Sequence, residues 1–592
     1  MAAPVNPRPF RIAQPGGAVF DARHFGDERA SGTETIDGYT VVRDSATGEW
    51  RFAARDARGQ LVASSRVAGV DAPPAFARRL RATTPPTPGS IAAPRSPQQS
   101  PQPRPAPPSL AAPHRLLVLV VDFTPSTSRG TTESYWNRVA FTGGAPTAPT
   151  AIANYWNTVS YGQLTLSPAA ESYGAANNGV VLVTLATAHP NPASTDTANQ
   201  QIARDAIVAS DAFVNYAAFD DNADGYLSTD ELHLLIAVRG YDRSYGDADT
   251  CSSVGAVWAH RWSLYGGVPA PTVDGKVVGD PRGAPALGPR QGGYMQIGEW
   301  HCATWDTPGH ASTIGPATHE LGHDLGTGVP DLYDTDQSSN GIGDWGLQGS
   351  GGWLATGAYA GDSPVFPDPW SRWFFGFIAP PQITSATGRS FPRIETAASP
   401  PGYGVALLRA NPGGVDWNWS ELGGGPGTGE YFLVENRQQT GYDTPLPGAG
   451  LLIWHVYEPA PANNTANADE GAAAPGNARL VVLEQADGQY GLECWATCDT
   501  GSAGDPWRSG GATSFTAVSV PGSNLYGGGS SCVVVTNVSA SGATMTADLN
   551  GGAQPELCDG IDNNCNGTID EGLNNCGGAC TLVGEPPGAC DG

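Results

Sequence analysis

The sequence predicts a multidomain α+β protein with three folded parts. These are a small β-rich N-terminal region, a central α/β domain and a β-sandwich-like domain after it. Three observations carry this. The chain has 592 residues, more than one hydrophobic core supports. A tract of Pro, Ser and Ala over 83–113 divides it and reads as an extended linker. Beyond the tract, strand-length apolar runs alternate with a helical stretch over 114–380, and short strands parted by Gly/Pro turns fill 381–550.

Residues 1–82 hold turn signals at Asp37-Gly38, Thr47-Gly48 and Arg58-Gly59, between short segments such as Tyr39 to Val42 and Trp50 to Phe52. That pattern predicts a small β-meander. Leu116 to Phe123 (LLVLVVDF) is a continuous apolar run, as a buried central strand requires. Residues 196–214 read as helix, and 232–238 (LHLLIAV) as a second buried strand. Later segments, 431–437 (YFLVENR), 450–456 (GLLIWHV) and 479–485 (RLVVLEQ), read as strands of a sandwich. Residues 551–592 are too short and polar to form a core without cross-links or metal.

Charge and cysteines narrow the class. With 31 Lys+Arg against 57 Asp+Glu the net charge is −26, which repels nucleic acid and anionic lipid. No apolar run approaches the ~20 residues of a membrane helix. Acidity of this degree suits calcium binding. Ten cysteines, crowded towards the C-terminus, predict disulfides and an oxidising, extracellular compartment. Cys251–Cys302 and Cys558–Cys565 are the favoured pairs. No export signal is visible in Met1 to Phe10, so the expectation of secretion rests on the cysteines and the chemistry.

That chemistry is concentrated in His319-Glu320-Leu321-Gly322-His323. On a helix, residues four apart share a face, so both imidazoles can meet one Zn²⁺ while Glu320 stands beside them as general base. Pro316 suits the first turn of that helix. Zinc needs a third protein ligand and one open vertex. No Glu, His or Cys occurs between 324 and 394. The third ligand must therefore be an aspartate: Asp324, Asp331, Asp334, Asp336, Asp344, Asp362 or Asp368. Gly326 and Gly328 can end the helix and reverse the chain. Asp331 is the preferred ligand and Asp334 the runner-up.

Here the chain resembles a known family. His319 to Gly326, then Pro330-Asp-Leu-Tyr-Asp, then Gly343-Asp-Trp-Gly-Leu are similar to the immune inhibitor A family of secreted, metzincin-like metallopeptidases. Tyr155-Trp-Asn-Thr-Val-Ser-Tyr-Gly-Gln-Leu, Tyr431 to Gln438 and Gly450 to His455 extend the likeness, and residues 8–69 resemble the family's pro-region. The resemblance implies a zinc endopeptidase made as a proenzyme. Two features depart from the family pattern. The family's third ligand falls where this chain has Val329, with Asp331 two residues later, and the family's methionine beneath the metal is matched by Gln348.

A second motif is independent of the first. Asp220, Asn222, Asp224, Gly225, Tyr226 and Glu231 fit the loop D-x-[DN]-x-[DN]-G-x5-E at every position. It predicts structural Ca²⁺ held by side-chain oxygens of Asp220, Asn222, Asp224 and Glu231 and by the Tyr226 carbonyl. In the tail, Asp562, Asn564, Asn566 and Asp570 beside Cys558 and Cys565 resemble a short Cys-rich metal-binding motif, predicting further Ca²⁺. His455 is expected as a core histidine. His260 and His301, near Trp258, Trp262 and Trp300, are expected either to line the substrate cleft or simply to pack. Protein or peptide substrates, a monomer and no nucleic-acid partner complete the expectation. The rival is a calcium-braced adhesion protein with an impaired zinc site.

Overall fold

The computed structural model describes the chain apart from residues 1, 29, 76–77, 83–109, 111–113, 192–196, 247–250, 252–254, 265–266, 280–292, 305–306, 326–328, 336, 397–399, 410–428, 461–477, 495–497 and 553–592. The whole tail motif, Asp336, and Gly326 to Gly328 therefore lie outside the described residues. Two compact units divide the rest. Among the described residues, one lies within 2–337 and 344–367, and the other within 338–343, 368–409 and 429–552.

In the first unit, six antiparallel strands between Phe10 and Val67 pair in chain order. Gly38, Gly48 and Gly59 all adopt positive φ in their turns, which a side chain would resist. Val41, Phe52 and Ala68 form its small core.

The larger sheet of this unit has His114–Asp122 at its centre, parallel to His233–Asp242 on one side and to Leu166–Pro168 and Val180–Thr184 on the other. Gly293–His301 continues it in parallel, and His260–Ser263 closes the edge antiparallel. Alternation sorts the side chains. Leu117, Leu119, Leu234 and Ile236 meet Ile202, Ala203 and Ile207 of the helix Thr197–Ser210 in one core, as period-2 strands require. The opposite face, carrying His233, receives the helix Ile314–Asp324.

The second unit packs two sheets over one core, as a sandwich does. Strands Ala406–Leu408, Glu430–Arg437, Gly450–Tyr457 and Val481–Leu483 make one sheet; Ser385–Pro392, Thr544–Asn550 and Val534–Thr536 make the other. Phe432 and Ile453 from the first meet Phe391 and Met545 from the second. Two cross-links are present among the described residues, Cys251–Cys302 and Cys494–Cys498. The second, only four residues apart, is absent from the sequence expectation.

Candidate metal centre

The helix Ile314–Asp324 starts after Thr313 in extended conformation and buries every one of its residues. Pro316 lies within its first turn, where no N–H is needed. The Thr313 hydroxyl donates to the Ala360 carbonyl at 2.8 Å, tying the helix start to a neighbouring loop. Such a helix is held by tertiary packing rather than by propensity.

Each histidine commits its Nδ1 to a backbone carbonyl: His319 to Leu347 O at 3.0 Å and His323 to Val329 O at 2.6 Å. A carbonyl can only accept, so each Nδ1 carries the hydrogen, and in the neutral ring each Nε2 keeps a free lone pair. The two Nε2 atoms lie 3.2 Å apart, and Asp331 Oδ1 sits 3.1 Å from both. Three acceptors so close repel one another unless a cation lies among them. Two imidazoles and one carboxylate are also a donor set that zinc accepts with a vertex to spare. Among the described residues this is the group of three metal-type ligands that converges.

The other aspartates on the candidate roster are engaged elsewhere. Asp324 is held by His233 Nδ1 at 2.8 Å and Arg261 Nε at 2.9 Å. Asp344 accepts from Ser350, Asp362 from the Thr356 and Gly357 amides, and Asp368 caps the helix Pro369–Phe374. Asp334 is buried but outside the convergent group. Position 329 contributes its carbonyl to His323 instead of a side-chain ligand.

Burial works against ionisation of Asp331, and positive charge on the His323 and His319 side, from protonated rings or from a cation in their place, is what offsets it and holds its carboxyl below the usual range. Glu320 behaves oppositely. Burial, and then the Asp331 charge, push its carboxyl well above the ordinary value. Both Glu320 oxygens are buried without a hydrogen-bond partner. A buried carboxylate left unmet is costly, and it is what a base awaiting a water or a substrate proton looks like.

Behind the histidines lies a polar chain that sequence reading missed. Asp324 takes Arg261 on one oxygen and His233 on the other, and His233 Nε2 reaches His114 Nδ1 at 3.0 Å. This fastens the C-terminal end of the helix to three strands. Burial opposes ionisation of Asp324, but His233 and Arg261 keep its carboxyl below the usual range. Gln348 lies beneath His323, its Nε2 at 3.3 and 3.2 Å from the two ring nitrogens. Equidistance from both means the amide sits against the ring instead of along either lone pair.

The first residues of the chain also meet this site. Ala2 bridges His260 on the sheet edge in antiparallel sense, and Tyr333 OH donates to Ala2 O at 3.0 Å. The Ala3 amide donates to Ala259 O, while Trp258 Nε1 donates to Ala3 O and Trp353 Nε1 to Pro4 O. No hydrophobic periodicity marks 2–6 as an element, because the contacts run through the main chain. His260 is buried, bonded to Trp258 O and Tyr294 OH, and His301 is buried and stacked on Tyr245.

The predicted calcium loop closes on itself. Asp220 accepts from the Asp224 and Gly225 amides and pairs with Lys276 Nζ at 2.6 Å. Asn222 Oδ1 accepts from the Asp224 amide and Asp224 Oδ1 from the Tyr226 amide. Glu231 accepts from the Asp221, Asn222 and Ser228 amides. Gly225, at φ +89°, makes the turn.

Comparison with known proteins adds three findings. Residues 151–375 match the immune inhibitor A peptidase M6 catalytic-domain family, and residues 552–571 match a metal-binding-motif family. An Immune inhibitor A of Bacillus thuringiensis subsp. alesti is 31% identical over 168 residues, 28% of this chain and 21% of that protein. The aligned part thus spans about a fifth of that relative.

Proposed function

Taking the peptidase M6-type catalytic domain at 151–375 as its premise, we propose that this chain is a secreted zinc endopeptidase cleaving extracellular proteins. It is made as a proenzyme and braced by calcium. The observation that carries the reading is the meeting of His319 Nε2, His323 Nε2 and Asp331 Oδ1 while both Nδ1 atoms are committed to carbonyls. Zinc held there supplies Lewis acidity towards a water and the scissile carbonyl. Glu320, one residue along the helix from His319, takes the water's proton and delivers it to the leaving amine. The antiparallel edge strand His260–Ser263 offers main-chain groups to an extended substrate, in a metzincin-like arrangement.

The proenzyme reading is supported by the seat of Ala2 to Pro4 against Tyr333, Trp258 and Trp353, which leaves Ala2 and Ala3 each 1% exposed. Cleavage in the 83–113 linker frees that segment. Calcium at Asp220, Asn222, Asp224, Tyr226 and Glu231 would displace Lys276 from Asp220 and brace the strand His233–Asp242 that follows. The tail set Asp562, Asn564, Asn566 and Asp570 is a second calcium site on the same logic.

The test is Glu320→Ala in linker-cleaved protein. Zinc content stays at one per chain, and casein cleavage falls by about 10²–10⁴-fold, the usual contribution of a general base. Undiminished cleavage would refute the assignment. Cleavage absent even from the wild type, at full zinc, would favour the calcium-braced adhesion reading.

A further inference from the structure

We propose that the channel holding Ala2–Asn6 is the peptide-binding cleft, and that it selects chains with two consecutive small side chains at the positions of Ala2 and Ala3. The position after them need not donate a main-chain N–H. The inference rests on the peptidase reading and adds a substrate class to it.

The register is the first argument. The segment runs antiparallel to the edge strand, the way an added strand gains affinity from main-chain bonds and specificity from side-chain pockets. Its main chain is gripped at three successive carbonyls: Ala2 by Tyr333 OH, Ala3 by Trp258 Nε1 and Pro4 by Trp353 Nε1, at 3.0, 2.8 and 2.7 Å. Buried indole and phenol donors need partners. Once the segment leaves, these three donors would face an empty channel, and a substrate's carbonyls are the natural replacement. None of them reads side-chain identity, so the grip suits many sequences.

Selectivity comes from the side-chain side. Ala2 and Ala3 are each 1% exposed, so their methyl groups already fill their pockets. Ala2 and Val5, the latter 4% exposed, share the face of Trp258. Tyr333 stands two residues after Asp331, so its bond to Ala2 O places the small pair next to the convergent ligand set. Leucine or phenylalanine there overpacks a closed site. Pro4 carries no N–H, so the segment is held without a main-chain donor at that position.

Two measurements on the full chain test this. In the first, Ala2→Leu/Ala3→Leu is compared with Ala2→Gly/Ala3→Gly by hydrogen exchange of residues 256–263 and by tryptophan emission. The glycine pair should keep wild-type protection, and the leucine pair should lose it and shift emission to the red. Equal protection in both would overturn the pocket assignment. In the second, linker-cleaved full chain digests a mixed peptide library read by mass spectrometry. Ala, Gly and Ser pairs should be enriched about tenfold over Leu or Phe pairs at the matching positions. Active enzyme that cuts bulky pairs equally well would overturn the inference and leave the peptidase reading standing. Zinc-loaded protein that cuts nothing would sink the peptidase reading, while hydrogen exchange still judges the channel.

Discussion

Two histidine–carboxylate clusters, one in each compact unit, use the same chemistry for opposite ends. In the first, His319 and His323 spend Nδ1 on carbonyls and turn bare Nε2 lone pairs towards Asp331. In the second, His455 bonds Glu430 Oε1 through Nε2 at 3.1 Å and Glu484 Oε1 through Nδ1 at 3.2 Å, and stacks between Phe432 and Tyr526. Carboxylates on both nitrogens demand a hydrogen on each. Two imidazoles facing one carboxylate with no hydrogens between them demand a cation. On the proposed function, the first cluster answers to metal and the second to protons. What separates a site from a structural cluster is where the second nitrogen is spent.

The sharpest way to break the comparison is to remove the carboxylate that unites the first cluster. Asp331→Ala should lose zinc, measured by atomic absorption, and lower casein cleavage by about 10³-fold or more, since Lewis acid catalysis contributes several kcal/mol. Full zinc and activity in that variant would move the third ligand to Asp334. Chelation of the wild type should lower the stability of the first unit by about 4 kcal/mol from zinc at a thousandfold its dissociation constant. The second unit's transition should stay where it is.

Next in size is Asp324, whose side chain touches no ligand set but anchors the helix that carries two ligands. Asp324→Ala would strip Arg261 and His233, 5% and 1% exposed, of their shared carboxylate. Losing one partner of a buried ion pair costs about 3–5 kcal/mol. Thermal unfolding of the first unit reports it. A loss below about 1 kcal/mol would show that the pair is solvated in solution.

These residues also show how far the sequence could be read. The histidine pair and Glu320 were legible because a helix places i and i+4 on one face, a purely local rule. Exclusion narrowed the third position to seven aspartates, and the glycines at 326 and 328 favoured Asp331, which the structure brings to the histidine pair. The strands at 116–123 and 232–238 announced themselves as unbroken apolar runs. Illegible were the Leu347 and Val329 carbonyls, because every residue has one and only tertiary placement aims it. The Asp324 link to His233 and Arg261 spans 91 and 63 residues, and no pattern encodes such a distance. His455 was rightly placed in the core, but its two glutamates come from a strand pairing that sequence alone does not register.

The second cluster should make stability depend on pH. Burial lowers the proton affinity of His455, but Glu430 and Glu484 outweigh it and leave the ring's pKa above the ordinary value. A histidine raised on folding contributes stability that is complete below its unfolded pKa, about 6.5, and fades as pH climbs through the folded one. The second unit's melting temperature should therefore fall as pH climbs above about 6.5. His455→Leu should abolish that slope and cost about 2 kcal/mol at pH 6, by leaving two carboxylates together. An unchanged slope would assign the titration to another group.

The smallest effect sharpens the first cluster from below. Gln348 packs its amide on His323, with Oε1 buried and without a hydrogen-bond partner. A Cβ on Gly322 would stand 2.9 Å from that Oε1, so a side chain at 322 would push the Gln348 amide aside. Methionine is close to glutamine in volume and carries no amide to satisfy. Gln348→Met should therefore stabilise the first unit by about 1 kcal/mol, the cost of an unmet buried acceptor, and leave zinc stoichiometry unchanged. Because both His323 nitrogens have their own partners, in Val329 O and the convergent ligand set, cleavage should shift by less than about threefold. A large loss of zinc affinity in Gln348→Met would instead make the amide a positioning group for His323, and the first cluster would then depend on four side chains, not three.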